Sequence, residues 1–166
     1  MFDCQSKGEE KRMAITSSNK KVLNELLVET FNDILQIEQN ALREGVLNDL
    51  SITEIHTIEA IGMYGSRTMS EVAQDLNITV GTLTTAINKL VKKEYVERQR
   101  GELDRRAVMI ALSRKGKLAY RIHEKFHQDM IEKTINGLTK EEEEVLIKSL
   151  EKLNRFFKVE YKLENR

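Results

Sequence analysis

The 166-residue chain has no proline and no tryptophan, and Cys4 is its single cysteine. With no proline, nothing forces a break inside a helix, so long uninterrupted helices are expected. One cysteine cannot close an internal disulfide, so nothing in the chain calls for an oxidising compartment. Aromatic residues make up only 5% of the chain, so leucine, isoleucine and valine must fill the interior. No apolar run approaches transmembrane length, and Met1 to Asn19 lacks the apolar centre of a secretion signal. A cytoplasmic protein with no membrane partner is the expectation. A Gly-rich phosphate loop, a recognisable pair of catalytic carboxylates and a Ser/His/Asp motif are all missing, which argues against an enzyme.

Net charge is zero, with 27 basic and 27 acidic side chains, but the two signs are segregated. Residues 1–75 hold 7 basic and 13 acidic groups, residues 76–121 hold 11 and 4, and residues 122–166 hold 9 and 10. The excess of positive charge falls on one central stretch, the pattern of a local polyanion-binding surface.

That stretch has a readable architecture. Thr68-x-x-Glu71 is a capping box that starts a short helix, with Met69, Val72, Ala73 and Leu76 directed inward. The pattern breaks at Leu76 to Ile78, and Thr79 can cap a second helix with Val80, Leu83, Ile87 and Leu90 as its inward stripe. Two short helices with a tight turn form a helix-turn-helix, whose second helix enters a DNA major groove. The opposite face of that helix carries Thr79, Gly81, Thr82, Thr85, Asn88 and Lys89, flanked by Thr84. No acidic residue occurs between Asp75 and Glu94, which leaves the helix start open to phosphate. Small hydroxyl residues permit close backbone approach, and Asn or Thr can bond to base edges.

A hairpin should follow. Tyr95 to Arg98 reads as a strand, Gly101 to Asp104 as a turn, and Ala107 to Ser113 as the return strand, with Val108, Ile110 and Leu112 alternating against their neighbours. Such a hairpin after a recognition helix is a wing. Arg98, Arg100, Arg105 and Arg106 can reach phosphates or an adjacent minor groove, with Asp104 orienting a guanidinium. The predicted fold class is mainly α with a small β-wing, a winged helix-turn-helix domain attached to a helical dimerisation region.

The remaining helices are long. Residues 19–44 form the first, with apolar positions on too many faces for one small domain. Ser51-x-x-Glu54 caps a second, with Ile52, Ile55, Ile58 and Ile61 directed inward in some combination. A helix over residues 116–136 ends at Gly137, and Thr139-x-x-Glu142 opens the last, with Val145, Leu146, Leu150, Leu153 and Phe157 as its stripe. Burial between two copies is the economical use of so much flanking apolar surface. The expected organisation is therefore residues 1–18 as a disordered extension, 19–50 and 114–163 as the helical dimerisation region, and 51–113 as the DNA-binding region. The three histidines are His56, His123 and His127; the last two stand at i, i+4 on one helix face, a spacing that suits one metal ion. An ordinary hydrogen-bonded cluster of buried polar groups has the same appearance.

Asp104-Arg105-Arg106 followed by a strand and Leu112-Ser113-Arg114-Lys115-Gly116 resembles the wing hallmark of the MarR family of winged-helix regulators. Within that family the chain is most similar to the FabT-type repressors of fatty-acid synthesis. The likeness is carried by LSITEIHTIEAIG at residues 50–62, TVGTLTT at residues 79–85 and RIHEKFHQDM at residues 121–130, and it extends over roughly residues 23–157. The resemblance implies a homodimer built from the terminal helices, repression at a pseudo-palindromic double-stranded DNA operator and no required cofactor. It also implies long-chain acyl-acyl carrier protein as co-repressor, with basic residues such as Lys117, Arg121 and Lys125 docking the acidic carrier. Glu38, His56, His123 and His127 would then belong to effector binding or its relay. Those four positions also line up with the zinc ligands of MarR-type zinc-uptake regulators, which makes a zinc-responsive regulator of metal uptake the alternative. Some relatives sense oxidants through an N-terminal cysteine, but Cys4 has no counterpart in the FabT-type pattern.

Overall fold

The computed structural model describes residues 17–100 and 108–161, and for Ser17 and Arg100 the backbone alone. The chain divides into two units at Gly45. The first contains α1 (Ser17–Glu44), which starts two residues before the expected boundary. Val22, Leu23, Leu26, Val28, Phe31, Leu35 and Ile37 along it are each about half exposed.

The second unit runs α2 (Ile52–Ile61), β1 (Arg67–Thr68), α3 (Met69–Asp75), α4 (Val80–Lys92), β2 (Val96–Arg100), β3 (Val108–Leu112), α5 (Arg114–Ile135) and α6 (Lys140–Glu160). The three predicted capping boxes are formed. The backbone N–H groups of Ser51, Thr68 and Thr139 donate to the carboxylates of Glu54, Glu71 and Glu142 at 2.8, 2.7 and 2.8 Å. Each satisfies a donor that a helix start otherwise leaves open, a contribution of about 1 kcal/mol per cap. α3 ends in a paired C-terminal motif, with Ile78 N–H donating to Ala73 O and Asn77 N–H to Gln74 O, both at 3.0 Å. That closure requires a left-handed residue, and Asn77 takes it at φ 53°. α4 closes the same way through Tyr95 to Leu90 and Glu94 to Val91, but there the left-handed residue is Glu94, at φ 66°.

The core of this unit is built from Ile55, Ile58, Ile61, Val72, Leu83, Ile87, Leu90 and Ile110, all at most 1% exposed. Fully burying side chains of this size contributes about 1.5–3 kcal/mol each. The wing sheet has the order β1-β3-β2, with antiparallel pairs Val96 to Leu112 and Arg98 to Ile110. Val80, expected in the inward stripe of α4, is 45% exposed, because it stands at the first residue of the helix, beyond the edge of the core. β1, two residues pairing Arg67 to Ile110 and Thr68 to Met109, was not expected, since two residues show no alternation. α5 begins at Arg114 rather than at Gly116, because Ser113 is its cap.

The second unit is tied together where α2, α4, β2 and α5 meet. Lys93, just past α4, donates to both carboxylate oxygens of Glu54 at 2.8 Å and to the carbonyl of Asp49. The Tyr95 hydroxyl donates to Asp49 Oδ1 at 2.7 Å, and the Lys115 ammonium lies 4.0 Å from the Tyr95 ring centroid while donating to Lys93 O at 3.0 Å. Ser113 Oγ donates to Glu94 O at 2.6 Å and accepts from Gly116 N at 3.0 Å. Gly116 is needed for this approach: a side chain there would overlap the Tyr95 carbonyl oxygen and reach 3.1 Å from its carbon.

Burial works to raise the Glu54 pKa, but bonds from Lys93 and Ser51 outweigh it and hold the carboxyl below the ordinary range. Asp49 is likewise lowered: burial opposes, and the Tyr95 hydroxyl and Lys115 prevail. Both groups bind protons less readily in the folded than in the unfolded chain. Their contribution is therefore complete at neutral pH and is lost as pH falls through the carboxylate range, below about pH 5. Glu54→Gln should lower unfolding stability at pH 7 by about 1–2 kcal/mol and flatten its decline toward acid. Urea unfolding midpoints at pH 7 and pH 4 check this; an unchanged pH dependence in the variant would remove Glu54 from the role.

Candidate nucleic-acid interface

The α3–turn–α4 unit presents one face of α4 to solvent because Leu83, Ile87 and Leu90 hold the other in the core. Thr79, Gly81, Thr82, Thr85, Asn88 and Lys89 are all exposed, and Thr84 is half-buried at their border. The hydroxyls differ in how they are engaged. Thr79 Oγ1 caps the helix, accepting from Thr82 N at 3.1 Å and lying 2.9 Å from Thr82 Oγ1. Thr84 Oγ1 donates to Val80 O at 2.7 Å, whereas Thr85 Oγ1 reaches Gly81 O only at 3.4 Å and is the more readily released. Gly81 has no internal reason to be glycine: a side chain there would meet only Thr79 Oγ1, at an ordinary 3.7 Å.

The wing supports this helix. Arg98 shares its strand face with Val96 and opposes Ile110, both buried, so the pleat aims it toward the helices. Its guanidinium Nη2 donates to Asn88 Oδ1 at 2.6 Å. Arg100 ends β2; its side chain, the turn at Gly101 to Asp104, and Arg105 and Arg106 lie outside the described residues.

The histidines gather between α2 and α5. His123 on α5 is 2% exposed, its Nε2 is 3.1 Å from His127 Nε2, and its ring stacks on Phe126 at 6.0 Å. His56 on α2 faces it with ring centroids 6.1 Å apart. The carboxylate that joins the pair within this unit is Glu59, whose Oε1 is 3.4 Å from His123 Nε2. Ligand atoms of Glu59, His123 and His127 lie within 4.8 Å of one another. Glu38 lies on α1, in the other unit. Glu59 was missed in the sequence reading, although it stands three residues after His56 on one helix, a spacing that places both on one side. Arg121 is exposed on α5, and Lys125 is paired with Asp129 at 2.9 Å.

Residues 50–108 match the model of the MarR family. The structure is similar to the crystal structure of Streptococcus pneumoniae FabT in complex with DNA, at 43% identity and TM-score 0.80, over 84% of this chain and 97% of that one. The reduced form of MarR from E. coli aligns at 24% identity and TM-score 0.64, over 79% of this chain and 95% of that one, a likeness of fold. Among curated relatives, the Bacillus subtilis helix-turn-helix transcriptional regulator YwhA is 30% identical over 96 residues, 58% of this chain and 69% of the relative. The B. subtilis transcriptional regulator PchR is 26% identical over 113 residues, 66% of this chain and 67% of the relative. The solvent-facing polar side of α4, the wing packed beside it and these likenesses agree: the chain belongs to the MarR family of DNA-binding winged-helix transcriptional regulators and is not an enzyme.

Proposed function

We propose that the chain is a cytoplasmic homodimeric repressor of fatty-acid synthesis genes that binds a pseudo-palindromic operator, with long-chain acyl-acyl carrier protein as co-repressor. The observation that carries this reading is the 43% identity with a FabT solved on DNA, over 97% of that chain. Thr79, Gly81, Thr82, Thr84, Thr85, Asn88 and Lys89 form the DNA-facing side of the recognition helix. Arg98, Arg100, Arg105 and Arg106 serve the wing, with Asp104 among them. Their cationic groups make affinity steeply dependent on salt through counterion release.

Dimerisation is supported by the terminal helices. α6 has no buried residue in 21, yet carries Val145, Ile147, Leu150, Phe156 and Val159 at 49–64% exposure. Apolar surface on that scale is rarely left to water, and a second copy would cover it. The acidic carrier would meet the exposed Arg121 and its neighbours on α5, and the acyl chain would take an apolar path inward.

A second reading, a zinc-responsive regulator, is favoured by the convergence of His123, His127 and Glu59. Two imidazole nitrogens 3.1 Å apart are close to the roughly 3.3 Å separation of ligands on one tetrahedral zinc ion. Operator binding followed by fluorescence anisotropy separates the two readings, using DNA from a fatty-acid synthesis promoter. Tightening by acylated carrier protein alone is the expected result. Tightening by Zn²⁺ alone, reversed by chelator and lost in His123→Ala, would instead establish the metal reading.

Gly81 gives an independent test of the DNA-facing side. Gly81→Ala removes a poor helix former and should raise thermal stability by up to about 1 kcal/mol, since the chain itself leaves room for the methyl group. The same variant should bind operator DNA more weakly, because the methyl occupies the space that a phosphate backbone approaches. Thermal melts paired with binding isotherms read the two effects; a variant with unchanged operator affinity would clear Gly81 of DNA contact.

A further inference from the structure

We infer that Arg98 sets base specificity indirectly, by holding the Asn88 side chain so that it offers donors, rather than a donor and an acceptor, to the DNA. The inference rests on the reading of α4 as the recognition helix.

The chemistry of the pair fixes the amide. A guanidinium has only donors, so the atom of Asn88 that lies 2.6 Å from Arg98 Nη2 must be the carbonyl oxygen. The NH2 group of a planar carboxamide points away from its oxygen at about 120°, so it is turned away from the wing. The arrangement is built into the fold. Arg98 occupies the inward-facing row of β2 between Val96 and the wing tip, opposite Ile110, and that row faces α4. Asn88 follows Thr84 and Thr85 by one helical turn, so it lies on the polar side of α4 with them.

The consequence concerns which base Asn88 can read. The bidentate Asn–adenine contact needs oxygen and nitrogen of the amide side by side, one accepting from N6 and the other donating to N7. With its oxygen directed at the wing and one of its two lone pairs held by Arg98, Asn88 leads with its N–H donors. Its complement is an acceptor edge: guanine O6 and N7, or thymine O4. The arginine of the wing thereby acts at a base pair it does not touch, in addition to any phosphate it neutralises.

The test compares base preferences, not overall affinity. Relative affinities of operators carrying each of the four base pairs at each position are measured for wild type, Asn88→Ala, Arg98→Met and the double variant. Asn88→Ala in the wild-type background locates the position that Asn88 reads. Arg98→Met should weaken binding at every position through loss of a cation, and at that one position should shift preference toward adenine by on the order of tenfold. The double variant should be indifferent there. Thermal melts confirm that the exposed pair was removed without unfolding. A uniform loss in Arg98→Met with the wild-type preference retained, or an Asn88→Ala variant with an unchanged preference at every position, would overturn the inference while leaving the DNA-binding reading intact. A wild-type protein without any sequence preference would instead count against the reading of α4 itself.

Discussion

One ammonium group ties the end of α4 to the start of α2. Lys93 leaves the end of the recognition helix and inserts its Nζ among Glu54, which opens α2, and the carbonyl of Asp49 just before it. Glu54 is at once the acceptor of that ammonium and the third residue of the Ser51 capping box, so the start of one helix and the end of another share a single carboxylate. Its side chain is 9% exposed, so loss of Lys93, itself 31% exposed, would leave a poorly solvated carboxylate behind. Tyr95, Lys115, Ser113 and Gly116 extend the junction to β2 and α5. On the proposed reading of α4 as the recognition helix, fixed ends keep the same few side chains presented on every encounter.

Around that fixed frame, the helix departs from what local stability would choose. Gly81 stands inside the first turn of α4 without a steric need within the chain, and Glu94 takes a left-handed conformation that glycine or asparagine adopts at lower cost. The first turn of α4 carries no carboxylate, like those of α1 and α5, whereas α2 and α3 carry one and α6 three. A departure from the local optimum such as Gly81, on the solvent-facing side of α4, is expected where a chain is shaped by a partner outside itself.

Much of this was legible in the sequence, and the physical reasons are specific. The capping boxes at Ser51, Thr68 and Thr139 could be read because a hydroxyl residue and a glutamate three positions later are sufficient by themselves to form the motif. The apolar stripe of α4 could be read because Leu83, Ile87 and Leu90 recur at the helical period. β1 escaped because two residues have no period. The Lys93–Glu54 pair escaped because the partners are 39 residues apart and a lysine at a helix end has many bland explanations. Glu59 escaped because a glutamate on a helix has many bland explanations, and only the packing of α5 on α2 sets it against His123. The Arg98–Asn88 bond required knowing which face of β2 the pleat turns toward α4, and that follows only from the strand register.

The exposed apolar faces of α1 and α6 and the polar, solvent-facing side of α4 combine into one expectation, that two copies read DNA together. Selection of binding sites from random double-stranded DNA by the intact protein measures this most directly. The enriched sequences should form an inverted repeat whose half-site centres are separated by about one helical turn, roughly 10 base pairs. Enrichment of a single unrepeated half-site, or no enrichment at all, would contradict paired reading by two copies of α4.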